Sequence, residues 1–570
     1  MRRRIFLHTI AEICAFVAVL GSRGEAQTRT DDGERLMADT VFYNGTIHTM
    51  EPGMPLAGAI AVREGKILAV GASDELVARL GPGARTLDLK GRTVLPGLVD
   101  AHCHFLGYAE ERVWIDLMGT ASLDEIVSAV AERVSSQKPG TWILGRGWDQ
   151  NDWPDTRYPE KAVLDAIAPN NPVYLVRVCG HAAFVSSRAL ALAGITRETE
   201  DPSGGRIART GSGDPTGVLF DEATEMVGRC VPEPGAQEKK RLLIEAAREC
   251  LSVGLVGVHE MGISLGTESL YEDLLSTGAL PLRIVAYYSG DDPQFETMTE
   301  RGPRRGLGND HLSIVGCKFY ADGSLGARSA ALLADYTDDP GNRGILVTPL
   351  ETLVARIRRC SVRGFQAATH AIGDRAVRQM LDIYGRVLAE RPFPDARHRI
   401  EHSQVVAPAD IPRFAAIGVI PSMQFTHCTS DMPWAERRLG PERVKGAYAW
   451  RSLIEAGSRI PGGSDFPVES INPFLGIYAA VTRRDLAGNP AGGWFPAQCL
   501  TVREALAAFT IDAAYAAHEE TVAGSLAPGK RADFIVCSDD VFAVPPDAIP
   551  RVRALATVVG GTIVYRADQF

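Results

Sequence analysis

The chain of 570 residues is 45% hydrophobic and 23% charged, with 57 Gly and 34 Pro, which excludes disordered and collagen-like classes and supplies apolar mass for a barrel-sized core plus a satellite domain. Its formal charge of −10 excludes a broad basic footprint for nucleic acid. Ten Cys with no Cys-x-x-Cys spacing point away from a disulfide framework or a zinc ribbon.

Residues 1–26 read as an export address. Arg3-Arg4-Ile5-Phe6-Leu7 precedes an apolar run from Ile10 to Leu20, and Gly24-Glu25-Ala26 offers a small-residue cleavage site. The run is too short to span a bilayer, so no stable membrane anchor is expected. The pattern resembles a twin-arginine signal and predicts a periplasmic or secreted protein; an ordinary Sec signal predicts the same compartment.

Residues 38–95 and 522–570 both read as hairpins. Thr40–Tyr43 and Thr46–Met50 flank Asn44-Gly45, Ala59–Val62 and Lys66–Val70 flank Glu64-Gly65, and Ala556–Val559 and Thr562–Tyr565 flank Gly560-Gly561. Hairpins are marginal alone, so the two ends are expected to pair into one small composite β-sandwich. Between them, residues 96–521 alternate short apolar runs with helical stretches, which predicts βαβ units and an α/β class. Eight runs read as strands: Leu95–His104, Gly254–His259, Leu282–Tyr288, Leu312–Tyr320, Gln366–His370, Arg397–His402, Gly418–Gln424 and Arg459–Asp465. Eight parallel strands close into a TIM-like (β/α)8 barrel with its chemistry at the strand C-terminal ends. The long interval after the first strand predicts an inserted cap subdomain at about residues 119–250, with Trp142, Trp148 and Trp153 as pocket walls or core aromatics.

The ends of these runs share one chemistry. His102 and His104 alternate onto the same face of the first strand, with Cys103 opposite. His370, His402 and Asp465 end the fifth, sixth and eighth. Lys318 lies inside the fourth, where a bare ammonium is costly to bury. Carbon dioxide adding to its neutral amine would make a carbamate, an anionic ligand able to bridge two cations. Four His, one Lys and one Asp at one barrel rim are hard to obtain by packing alone and predict a divalent metal site. Nitrogen and oxygen donors suit Zn2+, and Mn2+ or Fe2+ fit the same set.

The motifs resemble the amidohydrolase superfamily, and within it the amidohydrolase-family-3 or YtcJ-like group that includes N-substituted formamide deformylase. They are Val94 to His104, Gly145-Arg146-Gly147-Trp148-Asp149, Gly180-His181-Ala182-Ala183, Lys318 to Gly326, Thr369 to Asp374, Ile400-Glu401-His402, Gly463 to Val468 and Gly524 to Asp533. The resemblance implies that His102 and His104 hold a buried metal, Lys318 bridges, His370 and His402 hold a second metal, and Asp465 contacts the first and takes a proton. Some relatives work with one metal, and many are homodimers. Cys103 departs from the usual aliphatic, and Phe425 replaces a common Pro before His427. His181 and His259 are expected as substrate or oxyanion contacts, with Asp322 and Arg328 gripping a polar substrate group; loop hydrogen bonds and helix caps would explain these four equally well.

The resulting expectation is metal-assisted hydrolysis of a C–N bond in a small-molecule amide, a linear N-substituted amide or N-acyl compound, with Asp465 as proton shuttle. Gly262-Ile263-Ser264-Leu265-Gly266 matches a nucleophile elbow and keeps a serine esterase using Ser264 as an alternative. A cyclic-amidine deaminase and a non-catalytic metal-binding protein are further alternatives. A deaminase usually lacks the fourth-strand lysine.

Overall fold

The computed structural model describes residues 35–570. The export address expected over residues 1–26 lies outside them.

Eight parallel strands form one sheet in chain order: Leu98–Cys103 (β1), Leu255–Ile263 (β2), Arg283–Ser289 (β3), Leu312–Tyr320 (β4), Gln366–Ala371 (β5), Arg399–His402 (β6), Ile420–Gln424 (β7) and Gly462–Gly463 (β8). The register carries the rim along: Lys318 pairs with Ala368, Tyr320 with His370, and Ala371 with His402. Beyond β8 the sheet returns to β1. The Asp465 N–H donates to the His102 carbonyl at 2.8 Å, and the His104 N–H to the Phe466 carbonyl at 2.8 Å. The Asp100 carboxylate accepts the Ser464 hydroxyl at 2.6 Å. Gly463 permits this approach, because a Cβ there would lie 2.7 Å from both Asp100 Oδ1 and the His102 nitrogen.

Three strand limits differ from the sequence expectation. The first apolar run divides at Gly97: Thr93–Pro96 pairs antiparallel with Phe534–Cys537, while Leu98 onward enters the barrel. A Cβ at Gly97 would sit 2.5 Å from the Val256 methyls, so the crossing is tight. Strand β2 continues four residues past His259, and only Gly462–Gly463 of the last run keeps strand pairing.

Strands from both chain ends share a six-stranded sheet, in which Thr46–His48, Leu56–Ala57 and Thr93–Pro96 join Phe534–Cys537, Ala554–Val559 and Thr562–Arg566. A four-stranded sheet of Thr40–Tyr43, Ala59–Arg63, Lys66–Gly71 and Arg85–Asp88 faces it across a shared core of Phe42, Ile60, Val94, Phe534 and Val558. The expected hairpin across Asn44-Gly45 does not form. Thr40–Tyr43 is flanked by Ala59–Arg63 and Arg85–Asp88, so the turn passes the chain to the other sheet. Glu64-Gly65 and Gly560-Gly561 do join antiparallel pairs, all four residues having positive φ as such turns require.

Between β1 and β2 the chain builds a six-stranded sheet running from Ile115–Asp116 to Pro215–Asp221. Trp148 and Trp153 lie in its core at 0% and 5% exposure. Helix Ala236–Ser252 instead buries Leu242, Leu243, Ala246 and Cys250 in the barrel core. Among the described residues no helix is long and apolar enough to cross a membrane.

Candidate metal centre

Strand alternation and the closure of β8 on β1 gather the rim side chains. Asp465, at φ +61°, turns its carboxylate toward both strand-one imidazoles: Oδ1 lies 3.4 Å from His102 Nε2 and 3.4 Å from His104 Nε2. Its Oδ2 lies 3.9 Å from His427 Nε2. Two donor groups with metal-ligand spacing result, His102/His104/Asp465 and His402/His427/Asp465, sharing the one carboxylate. The His402 ring is 4.8 Å from that of His102 and 4.6 Å from that of His370. Lys318 Nζ sits 3.2 Å from His102 Nε2, completing the cluster.

The outer nitrogens of these rings are already engaged. His102 Nδ1 meets Glu401 Oε2 at 2.5 Å, His104 Nδ1 meets the Met261 carbonyl at 3.1 Å, and His402 Nδ1 meets Gln424 Oε1 at 2.7 Å. Each partner accepts a hydrogen bond from the Nδ1–H and leaves the Nε2 lone pair facing inward, the tautomer that metal ligation needs. Burial drives His370 and His402 well below the ordinary imidazole range, so both are neutral donors. Burial also brings Lys318 down to about 8. Burial opposes ionisation of Glu401, yet Arg399 beside it holds its carboxylate well below the usual range.

The donor set fits a divalent cation. Asp465 Oδ1 and His427 Nε2 are buried without a hydrogen-bond partner, which is costly unless something else satisfies them. The pattern of the amidohydrolase family, matched over residues 85–565, runs through every strand of this site. The chain belongs to the amidohydrolase family.

This amidohydrolase is 34% identical over 534 residues to YtcJ of Bacillus subtilis (strain 168), an amidohydrolase by name, spanning 92% of this chain and 99% of that one. It is 28% identical over 546 residues to the N-substituted formamide deformylase of Arthrobacter pascens, spanning 93% and 98%. Its fold is similar to that of an uncharacterized metal-dependent hydrolase from Pyrococcus horikoshii OT3, with a TM-score of 0.72 and 27% identity over 89% of this chain and 99% of that one. Family and fold make it a metal-dependent hydrolase.

The amidohydrolase centre opens into a cavity of about 1000 Å³ between barrel and insertion. Of the six expected ligands, His102, His104, Lys318, His402 and Asp465 converge as described. His370 meets the His402 ring edge to face, but its Nε2 is turned to the Gly323 carbonyl at 3.3 Å. His181 and Asp322 line the cavity. His181 Nδ1 pairs with Asp221 Oδ1 at 2.9 Å, and Asp322 spends its oxygens on the Ala331, Ile372 and Gly373 N–H groups, which fixes the loop after β4.

The structure places two expected substrate contacts away from the cavity. His259 is 1% exposed and meets Arg399 Nη1 at 3.0 Å inside the barrel, because β2 runs on to Ile263 and leaves it below the rim. Arg328 pairs with Asp338 at 3.0 Å and does not line the cavity. Ser264 caps helix Leu265–Ser276 by accepting the Thr267 N–H at 3.1 Å, and no histidine is among its partners. Sequence reasoning missed His427 as a donor and Glu401 as the group that orients His102. His427 is in the first turn of helix Phe425–Arg443, not on a strand end, and the signal for Glu401 was its position next to His402.

Proposed function

We propose that this amidohydrolase hydrolyses a C–N bond of a linear N-substituted amide or N-acyl compound, with zinc held by His102, His104, His370, His402, Asp465 and a carboxylated Lys318, and His427 as a further donor. The observation that carries the reading is the partnerless Asp465 Oδ1 equidistant from two inward imidazole nitrogens. A divalent cation bound there supplies a water of near-neutral pKa and polarises a carbonyl. Asp465 accepts the proton of the attacking water and returns it to the departing nitrogen, which leaves poorly as an unprotonated amine. Glu401 and Gln424 keep His102 and His402 in the ligating tautomer. His181, held by Asp221 on the cavity wall, contacts the substrate carbonyl side. The export address would deliver the enzyme to the periplasm.

The test is metal analysis of the purified protein with a hydrolysis screen of N-formyl, N-acyl and ester compounds. Stoichiometric zinc with amide turnover that a chelator removes and zinc restores supports the reading; full turnover in metal-free protein overturns it. Carbon-13 bicarbonate labelling should show a carbamate resonance that Lys318→Met lacks.

A further inference from the structure

We propose that the amide taken by this cavity carries an ammonium or other organic cation at the end remote from the scissile bond, held by Asp431 and Glu469. The inference rests on the hydrolase reading of the same site and names its substrate class. In helix Phe425–Arg443, His427, Asp431 and Trp434 follow at i, i+4 and i+7, so one helix face presents all three, and all three line the cavity. Glu469 follows Asp465 in the loop after β8, and its Oε1 accepts the Ser430 hydroxyl at 2.7 Å, which fastens it to the helix beside Asp431. The partner of Asp431 is the Tyr448 hydroxyl. Both partners are neutral, and neither carboxylate joins an ion pair among the described residues.

Burial pushes Asp431 up to about 8 against a weaker pull from Arg177, and Glu469 up to about 7 with no cation acting on it. The cations of the wall are shared with other carboxylates, Arg229 acting on Glu222. Carboxylates outnumber Arg and Lys around the cavity by about three to one, and Arg146 and Arg177 are taken by Glu111 and Asp149. Asp221, on the same cavity and 8% exposed, gives Oδ1 to His181 and has no partner for Oδ2. An ammonium would hold these carboxyl groups ionised and make charge-assisted hydrogen bonds with them, which a neutral or anionic tail cannot do. One helical turn, about 6 Å, separates His427 from Asp431 along the axis, so a short alkyl spacer joins the reacting end to the cation.

The experiment compares kcat/KM of the metal-loaded enzyme for N-formyl-1,5-diaminopentane, the neutral N-hexylformamide and the anionic N-formyl-6-aminohexanoate. The cationic amide is expected to lead the neutral one at least tenfold, and Asp431→Asn or Glu469→Gln to bring that ratio toward one through KM. Equal rates for all three amides, an anionic preference, or variants that slow cationic and neutral amides alike would overturn the inference while leaving the hydrolase standing. Should none turn over, tryptophan fluorescence titration with 1,5-diaminopentane against 1-hexanol decides. Saturable diamine binding lost in both variants keeps the cation site and sinks the linear-amide reading; equal response to both probes sinks the cation site too.

Discussion

Glu401→Gln is the sharpest perturbation of the centre, because it changes one charge and almost no volume. Glu401 and Arg399 are both 0% exposed. The carboxylate receives Arg399 at 2.7 and 2.9 Å and His102 Nδ1 at 2.5 Å. An amide keeps one acceptor oxygen and turns an NH2 group toward a second donor, so either Arg399 or His102 loses its partner. Breaking a buried pair costs about 3–5 kcal/mol; Arg399 keeps the Ala101 carbonyl, Ser422 and Tyr287, which favours the lower end. Loss of the group that fixes a ligand's tautomer weakens metal binding by about 10–100-fold, or roughly 1.4–2.7 kcal/mol. Competition titration of zinc against a chromophoric chelator reads the second effect, and calorimetry of the chelated protein reads the first. Zinc affinity within twofold of the parent, with Tm unchanged, would refute the assignment of Glu401 as the orienting partner of His102.

Asp465→Asn should lower amide turnover about 100- to 10,000-fold with an unchanged far-ultraviolet spectrum; retained turnover removes the proton shuttle. Ser264→Ala should cost about 1 kcal/mol of stability in denaturant titration, as a lost N-cap does, while a serine-reactive phosphonate leaves parent turnover intact; phosphonate inactivation would restore the esterase reading. Glu260 accepts the Phe105 and Leu106 N–H groups, and burial pushes it up to about 8. A carboxyl raised on folding stabilises most below its unfolded pKa and loses that contribution as pH rises through the folded value. Stability should therefore fall by a few kcal/mol between about pH 5 and 8, and Glu260→Gln should flatten that slope; the same slope in the variant would clear Glu260 as its source.

The barrel was legible because short apolar runs recur at βαβ spacing, and because most of the candidate ligands sit where runs stop. Period-two alternation expects His102 and His104 on one face; β1 stops at Cys103 and His104 stands at the N-cap of the following helix, yet both Nε2 atoms lie 3.4 Å from Asp465 Oδ1. The errors arose where a local pattern competes with tertiary pairing. Asn44-Gly45 is a strong turn, yet the edges of Thr40–Tyr43 are claimed by strands further along the chain. His259 was read as a strand end, although Glu260, Met261 and Ile263 extend the ladder with β3. His427 escaped notice because a search along strand ends does not examine the helix after β7, where His427, Asp431 and Trp434 repeat at helical spacing. Arg399 and Glu401 share a face of β6, but only the closed barrel shows that this face is internal.

The seam at Gly463 has a consequence for how the molecule is assembled. Asp100 grips Ser464 across 364 positions of chain, and the same meeting delivers Asp465 to His102 and His104. No catalytic cluster can therefore exist in a nascent chain whose last barrel segment is still being synthesised. An ion coordinated by those three residues would rivet the first stave of the cask to the last, so demetallation should loosen the join before it disturbs the staves between.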